Sequence, residues 1–243
     1  MQLQLASLAL ALASVSLTAA VQTCVNSNNG LVGECIATSS CSSQGGSSAA
    51  GFCPGAADIQ CCTYGSCSSG SCLPTLGCSG STQAGLCPGD TEIQCCQNAP
   101  GVISGLNAIQ SAHAYQIARA VRDKGLNRQA CLIAITTGIT EANLLNYANS
   151  DVSASFNYQY DAVSSDYDSV GVFQQRVSYY PNIDADMDPY QSAGAFLDKM
   201  VNVDGWETAD VGSVCQDVQG SAYPDRYNEN VSQASGICSA MGF

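Results

Sequence analysis

CLIAITTGITEANLLNY, residues 131–147, carries one charge in seventeen positions, the carboxylate of Glu141. Asn127 can cap a helix running from about 128 to 147. That helix would be apolar nearly all round, and an element with no polar face belongs at the centre of a fold. Glu141 stands near its end. As an ordinary helical glutamate it faces solvent by helix phase. As the terminus of a buried helix it is held among protein atoms, and burial keeps a carboxyl protonated, which a general acid requires.

The flanking segments are helical in period. Leu106, Ile109, His113, Ile117, Ala120 and Val121 share one face, and Gly125 ends that run. His113 lies on the apolar face and reads as a core or rim histidine. Asp188 with Pro189 starts another helix, carrying Tyr190, Ala193, Phe196, Leu197 and Met200. Thr208–Gln219 and Tyr227 onward suggest two more. No sustained strand pattern competes, although residues 152–180 have room for a small hairpin. Residues 106–243 therefore read as a mainly α domain with ample length for one core.

The chain before it differs in kind. Residues 1–20 read as a secretory signal, with an apolar core LASLALALASVSL and small residues before a cut. No later segment is long and apolar enough to span a membrane. Residues 21–97 contain no Lys or Arg and twelve of the fifteen cysteines. AGFCPGAADIQCC (50–62) and AGLCPGDTEIQCC (84–96) agree at nine of thirteen positions. Extended backwards, the copies use Cys24, Cys35, Cys41, Cys53, Cys61 and Cys62, then Cys67, Cys72, Cys78, Cys87, Cys95 and Cys96. Each copy is too short to hold a hydrophobic core alone, so three internal bridges per copy are expected; the pairing is not readable, since six cysteines allow fifteen. Metal binding is the alternative, but CxxC pairs are absent and the chain has one histidine. Asn98-Ala99-Pro100-Gly101 opens a linker over 98–105. Of Cys131, Cys215 and Cys238, the expected bridge is Cys215–Cys238, leaving Cys131 free and inert on the buried helix; Cys131 as a nucleophile with His113 is the competing reading.

A formal charge of −13 argues against a nucleic-acid partner. One histidine weakens any Ser-His-Asp proposal. The carboxylates remain. Asp161, Asp166 and Asp168 cluster in YDAVSSDYDSVGVFQQR, about twenty residues beyond Glu141. One protonated and one ionised carboxyl across a cleft is the machinery of glycoside cleavage, for which lysozyme is the type case. Calcium is the rival use of such runs, but neither Asp166-x-Asp168 nor Asp184-x-Asp186-x-Asp188 fits an EF-hand loop: Val177 and Ala195 stand at their twelfth positions. Asp161, after the aromatic stretch FNYQY, is the first choice of second catalytic carboxylate. Asp166 and Asp168 would repel one another in an extended loop, which suits a structural role for at least one.

Glu141 followed by Ser169-x-Gly171-x-x-Gln174 resembles the soluble lytic transglycosylase and goose-type lysozyme pattern of a glutamate and a later glycine–glutamine motif. Ala142 stands where the common transglycosylase pattern has serine. With NYANSD, Asp161, DYDSVGVFQQR and SAYPDRY, the run also resembles lysozyme-like wall-lytic domains of actinobacteria and their phages, and secreted fungal muramidases. The resemblance implies a lysozyme-like fold and peptidoglycan as substrate. It implies Glu141 as proton donor, and Asp166, Gly171, Gln174 and Gln175 against the sugar. No cofactor or metal is expected, nor a membrane partner, and the chain is expected to be a monomer. The N-terminal repeats resemble cysteine-rich modules of secreted fungal wall-active enzymes, which implies wall binding. The expectation is thus a mainly α lysozyme-like catalytic domain behind a small disulfide-rich two-repeat module. The rivals are a lytic transglycosylase leaving anhydro-muramoyl ends and a non-catalytic chitin- or peptidoglycan-binding protein.

Overall fold

The computed structural model describes residues 22–223 and 225–243; the expected signal segment lies outside them. The first repeat runs β1 (Thr23–Asn26), β2 (Leu31–Ala37), α1 (Thr38–Ser43), β3 (Ser47–Ala49) and β4 (Ile59–Thr63). The second has β5 (Ser66–Cys67), β6 (Gly70–Pro74), β7 (Ser81–Gln83) and β8 (Ile93–Gln97). Each folds into a four-stranded antiparallel sheet of the same order, β1-β2-β4-β3 and β5-β6-β8-β7. The registers match as well: Cys35 lies opposite Cys61 as Cys72 lies opposite Cys95.

The bridges obey the same symmetry. Cys24–Cys61, Cys35–Cys53 and Cys41–Cys62 repeat as Cys67–Cys95, Cys72–Cys87 and Cys78–Cys96. Each copy therefore closes on itself as expected, and its core is largely cystine: Cys41, Cys61, Cys62, Cys72 and Cys95 are almost wholly buried. Closing short loops in the unfolded chain replaces the apolar area such small sheets lack.

The remaining chain holds α2 (Ala108–Asp123), α3 (Arg128–Ala142), α4 (Ile183–Asp186), α5 (Pro189–Met200), α6 (Val211–Gln219) and α7 (Arg226–Ala240). It also has short strands β9 (Tyr147–Asn149), β10 (Ala162–Ser164), β11 (Ser169–Val170) and β12 (Gln175–Arg176). β9 pairs with β10 in parallel and β11 with β12 antiparallel. The described residues are 38% helix and 21% strand, not mainly α, which corrects the expected fold class. The β11–β12 hairpin falls within 152–180, where room for one was expected; the other strands escaped because they are two to seven residues long. They are stapled by cystine or held by side-chain bonds, so they show no apolar alternation.

The helical expectations hold for the long segments. α3 is central, with Ile133, Ile135, Thr136 and Thr137 shut away from solvent between α2, α6 and α7. Asn127 caps it by accepting from the Gln129 and Ala130 amides, and Asp188 caps α5 likewise from Tyr190 and Gln191. α3 stops at Ala142 and not near 147. Asn143 and Leu144 both take positive φ, 51° and 57°, and the Leu144 amide turns back to Gly138 O at 2.9 Å. Asparagine adopts that conformation readily and leucine rarely. Leu144 is held there by complete burial in the core.

The disulfide of the helical part is Cys131–Cys238, tying α3 to α7, and the free thiol is Cys215. This corrects the expected Cys215–Cys238 pair. Cys131 is buried on the central helix but not isolated there, because α7 packs directly on α3 and brings Cys238 to it. Among the described residues there are seven disulfides, typical of extracellular proteins, and no helix long and apolar enough to cross a membrane.

The cysteine-rich module is docked, not strung on a free hinge. Val32, Leu73, Cys78 and Cys96 form one apolar cluster with Ile109 of α2, against which Leu145 packs. Thr23 N donates to Tyr160 O at 3.0 Å and Leu76 N to Gln159 Oε1 at 3.1 Å. Within the linker, Ile103 is buried and Tyr115 OH donates to Gly101 O.

Candidate active site

The early stop of α3 leaves Glu141 in its last turn, half-buried in the floor of an open groove of about 910 Å³. α7 and α6 supply what touches it. Tyr227, fully buried at the start of α7, donates its hydroxyl to Glu141 Oε1. Gln219, last residue of α6, lines the groove beside it with Nε2 donating to Phe173 O at 2.8 Å, and Arg226 stands near. Asn230 Nδ2 bonds Thr140 Oγ1 at 2.9 Å, fixing α7 to the same turn. Burial raises the Glu141 carboxyl above its usual range; the Tyr227 bond, the nearby Gln219 amide and the charge of Arg226 oppose this, and Asp166 adds to it.

Asp166 enters from the loop between β10 and β11 and lines the groove with Glu141. The loop is pinned from below by Asn149, wholly buried, whose Nδ2 donates to Asp166 O at 3.2 Å and Ser169 O at 2.9 Å. Asp168 faces another way. It accepts from Arg176 Nε at 2.5 Å and Ser178 N at 2.8 Å, and Arg176 with those donors lowers its carboxyl to about 2. It clips the turn from β11 into β12.

Three of the exposed aromatic rings, Tyr167, Tyr179 and Tyr223, stand around this groove, each at least 65% accessible. Large rings left in water along a polar trough suit stacking on flat faces of a polar ligand. Arg176, Lys199 and Arg226 are also in the lining, three of only seven Lys and Arg in the chain.

The structure brings Glu141, Asp166, Gln174 and Gln175 to this one groove. Gln174 has φ 47° and folds its Nε2 onto Gly171 O at 2.9 Å. Gln175 is almost fully buried, with Nε2 on Ser192 O at 3.2 Å. Gly171 is not in the lining. Its φ is +77° and a Cβ there would sit 2.1 Å from Asp186 O, so glycine is required for backbone packing against α4.

Asp161 is not in the groove either. It is a buried seam residue: Thr23 donates its hydroxyl to Oδ1, Asn146 N donates to Oδ2 at 2.8 Å, and His113 Nε2 stands 3.6 Å away. His113 is itself fully buried, with Nδ1 2.7 Å from Leu144 O. This set joins the cysteine-rich module to the helical part and leaves Asp161 no free oxygen toward the groove. Tyr227, Gln219 and Arg226 were not singled out in the sequence. The signal for two of them was the SAYPDRY segment, which holds Arg226 and Tyr227.

Nucleophilic alternatives find no support in the geometry. Cys131 is in a disulfide, and the Cys215 thiol is pushed up to about 12 by burial. Among the described residues, the metal-ligating side chains that converge closely are Cys24, Cys35 and Cys53, and Cys67, Cys72 and Cys87, all bound in disulfides. A scan against protein-family models finds no match, and a search of curated proteins finds none either.

Proposed function

We propose that the protein is a secreted glycoside hydrolase cutting the glycan of bacterial peptidoglycan between N-acetylmuramic acid and N-acetylglucosamine. The observation that carries this reading is the pairing of Glu141 with Asp166 in one tyrosine-flanked groove. Glu141, its carboxyl raised above the usual range by burial, gives its proton to the glycosidic oxygen as the C1–O bond breaks. Asp166, exposed at the groove, steadies the positive sugar and orients water onto C1, taking the water's proton. Tyr227 holds the Glu141 carboxyl in place, and the exposed rings take sugar faces. The basic residues of the lining suit the carboxylates that muramic acid and its peptides carry.

This reading moves the second carboxylate from Asp161 to Asp166, because only the latter shares the groove. The test is digestion of purified walls with wild type, Glu141→Gln and Asp166→Asn, read by mass spectrometry of the released fragments. Glu141→Gln should lose at least about a hundredfold of rate, the scale of positioned acid catalysis. Wild-type products should carry reducing muramic acid ends. Near-normal cleavage by a folded Glu141→Gln protein refutes the assignment. Anhydro ends would transfer the site to transglycosylation.

A further inference from the structure

A second cavity, of about 410 Å³, lies at the seam between the cysteine-rich module and the helical part, away from Glu141. Five carboxylates line it: Glu34 from the first repeat, Asp90 and Glu92 from the second, Asp184 and Asp188 from around α4. No Lys or Arg is in the lining. Two oxygens there have no partner. Glu34 is 1% exposed, its Oε1 accepts from the Tyr64 hydroxyl, and its Oε2 accepts from nothing; Gln116 Oε1 is buried and equally unpaired. A buried acceptor without a donor loses the hydrogen bond that water would give it, so the site asks for a ligand that donates.

The fold does not need Glu34. The two repeats share one sheet and one bridge pattern, and in the second copy the same position, opposite Cys96 as Glu34 is opposite Cys62, is Ser71. A buried acid has been placed where serine serves the architecture equally well. Burial, with the charge of Asp90 behind it, raises the Glu34 carboxyl above its usual range despite the Tyr64 bond.

A bare metal ion fits poorly. No three of these carboxylates bring oxygens within 4.8 Å of one another, so they cannot close on one ion. Their spread suits a larger body with a positive end. The rest of the lining is amide and hydroxyl, from Gln116, Asn157, Gln159, Gln191 and Thr75, with the Tyr158 ring beside them. That combination offers acceptors and amides for several hydroxyls and one ring for a sugar face. We propose that this seam cavity binds an amino sugar whose nitrogen is unacetylated and charged, its ammonium facing Glu34. It would then give the protein a hold on N-deacetylated glycan, separate from the groove that cleaves.

The test is calorimetric titration of the full chain with a glucosamine tetramer, beside its fully N-acetylated counterpart, a lysine-containing peptide and calcium chloride. Wild type and Glu141→Gln should bind the glucosamine tetramer equally. Glu34→Ser, which copies the second repeat, should weaken it at least about tenfold while melting normally. If Glu34→Ser fails to fold, Asp90→Asn with Glu92→Gln, both exposed positions, must show the same loss. Equal affinity in the seam variants overturns the proposal. So does Glu34-dependent binding of the peptide or of calcium in place of the sugar, or loss of tetramer binding in Glu141→Gln alone. Failure of Glu141→Gln to lose wall cleavage would strike the catalytic reading and leave this one standing.

Discussion

Tyr227→Phe removes one oxygen and tests the proton logic of the site. The Tyr227 hydroxyl is the largest influence holding the Glu141 carboxyl down against burial. It donates to the carboxylate, so it favours the ionised form; without it the proton is held to higher pH. A hydrogen bond to a charged group contributes about 1.5–3 kcal/mol. At 1.36 kcal/mol per pH unit, that moves the carboxyl up by roughly one to two units. If Glu141 is the acid, the alkaline fall of activity marks its ionisation, and that fall should shift to higher pH by the same amount. Maximal rate should drop by a smaller factor, since the carboxyl loses one support but not its place. Stability should fall by about 1–2 kcal/mol, because a fully buried hydroxyl and its partner are parted. The assay is clearing of a bacterial wall suspension across the acid-to-alkaline range, with melting recorded at each pH. An alkaline limb that stays put, or moves toward acid, in a folded variant refutes Glu141 as the group whose proton is used.

Asp186, almost fully buried with Oδ2 unpaired, has its carboxyl raised to about 7 by burial, with Lys199 only partly opposing. Its raised value means stability is greatest when it is protonated and is lost as pH rises from about 4 through 7, so Asp186→Asn should melt higher than wild type near pH 8, by up to roughly 4 kcal/mol, and show no advantage near pH 3.5; an equal gain at both would refute this. Asp161→Asn should cost about 1–3 kcal/mol of stability by breaking the buried set of Thr23, Asn146 and His113, and limited proteolysis should then release the cysteine-rich module; unchanged melting with lost cleavage would return Asp161 to the chemistry.

What could be read from the chain followed from how local its causes are. The repeat and its six cysteines fixed that each copy closes on itself, because the bridges are local and the copies constrain each other. The helices around 108–123, 128–142 and 189–200 showed because caps and apolar faces lie within a few residues. Glu141 stands out as a candidate because one charge ends an uncharged run. Pairings over long separations did not show. Cys131 meets Cys238 across 107 residues, and nothing in either neighbourhood names the other. The aromatic neighbours of Asp161 favour it over Asp166, yet Thr23, 138 residues earlier, takes Asp161 into the seam.

That exchange explains why the module is docked at all. A carboxylate of the helical part is satisfied by the first strand of the cysteine-rich part, and the β9–β10 pair that carries the Asp166 loop starts at the same residues: Asn146 bonds Asp161, and Tyr147 lies beside Ala162. The module thus braces the base of the loop from which Asp166 reaches the groove. Detaching it should loosen that loop, so a chain truncated before Asn98 is expected to lose part of its cleavage rate even on soluble glycan fragments. Full retention of that rate would show that the module serves only to hold the wall. A loss reversed by adding the separate module would show that bracing is its second task.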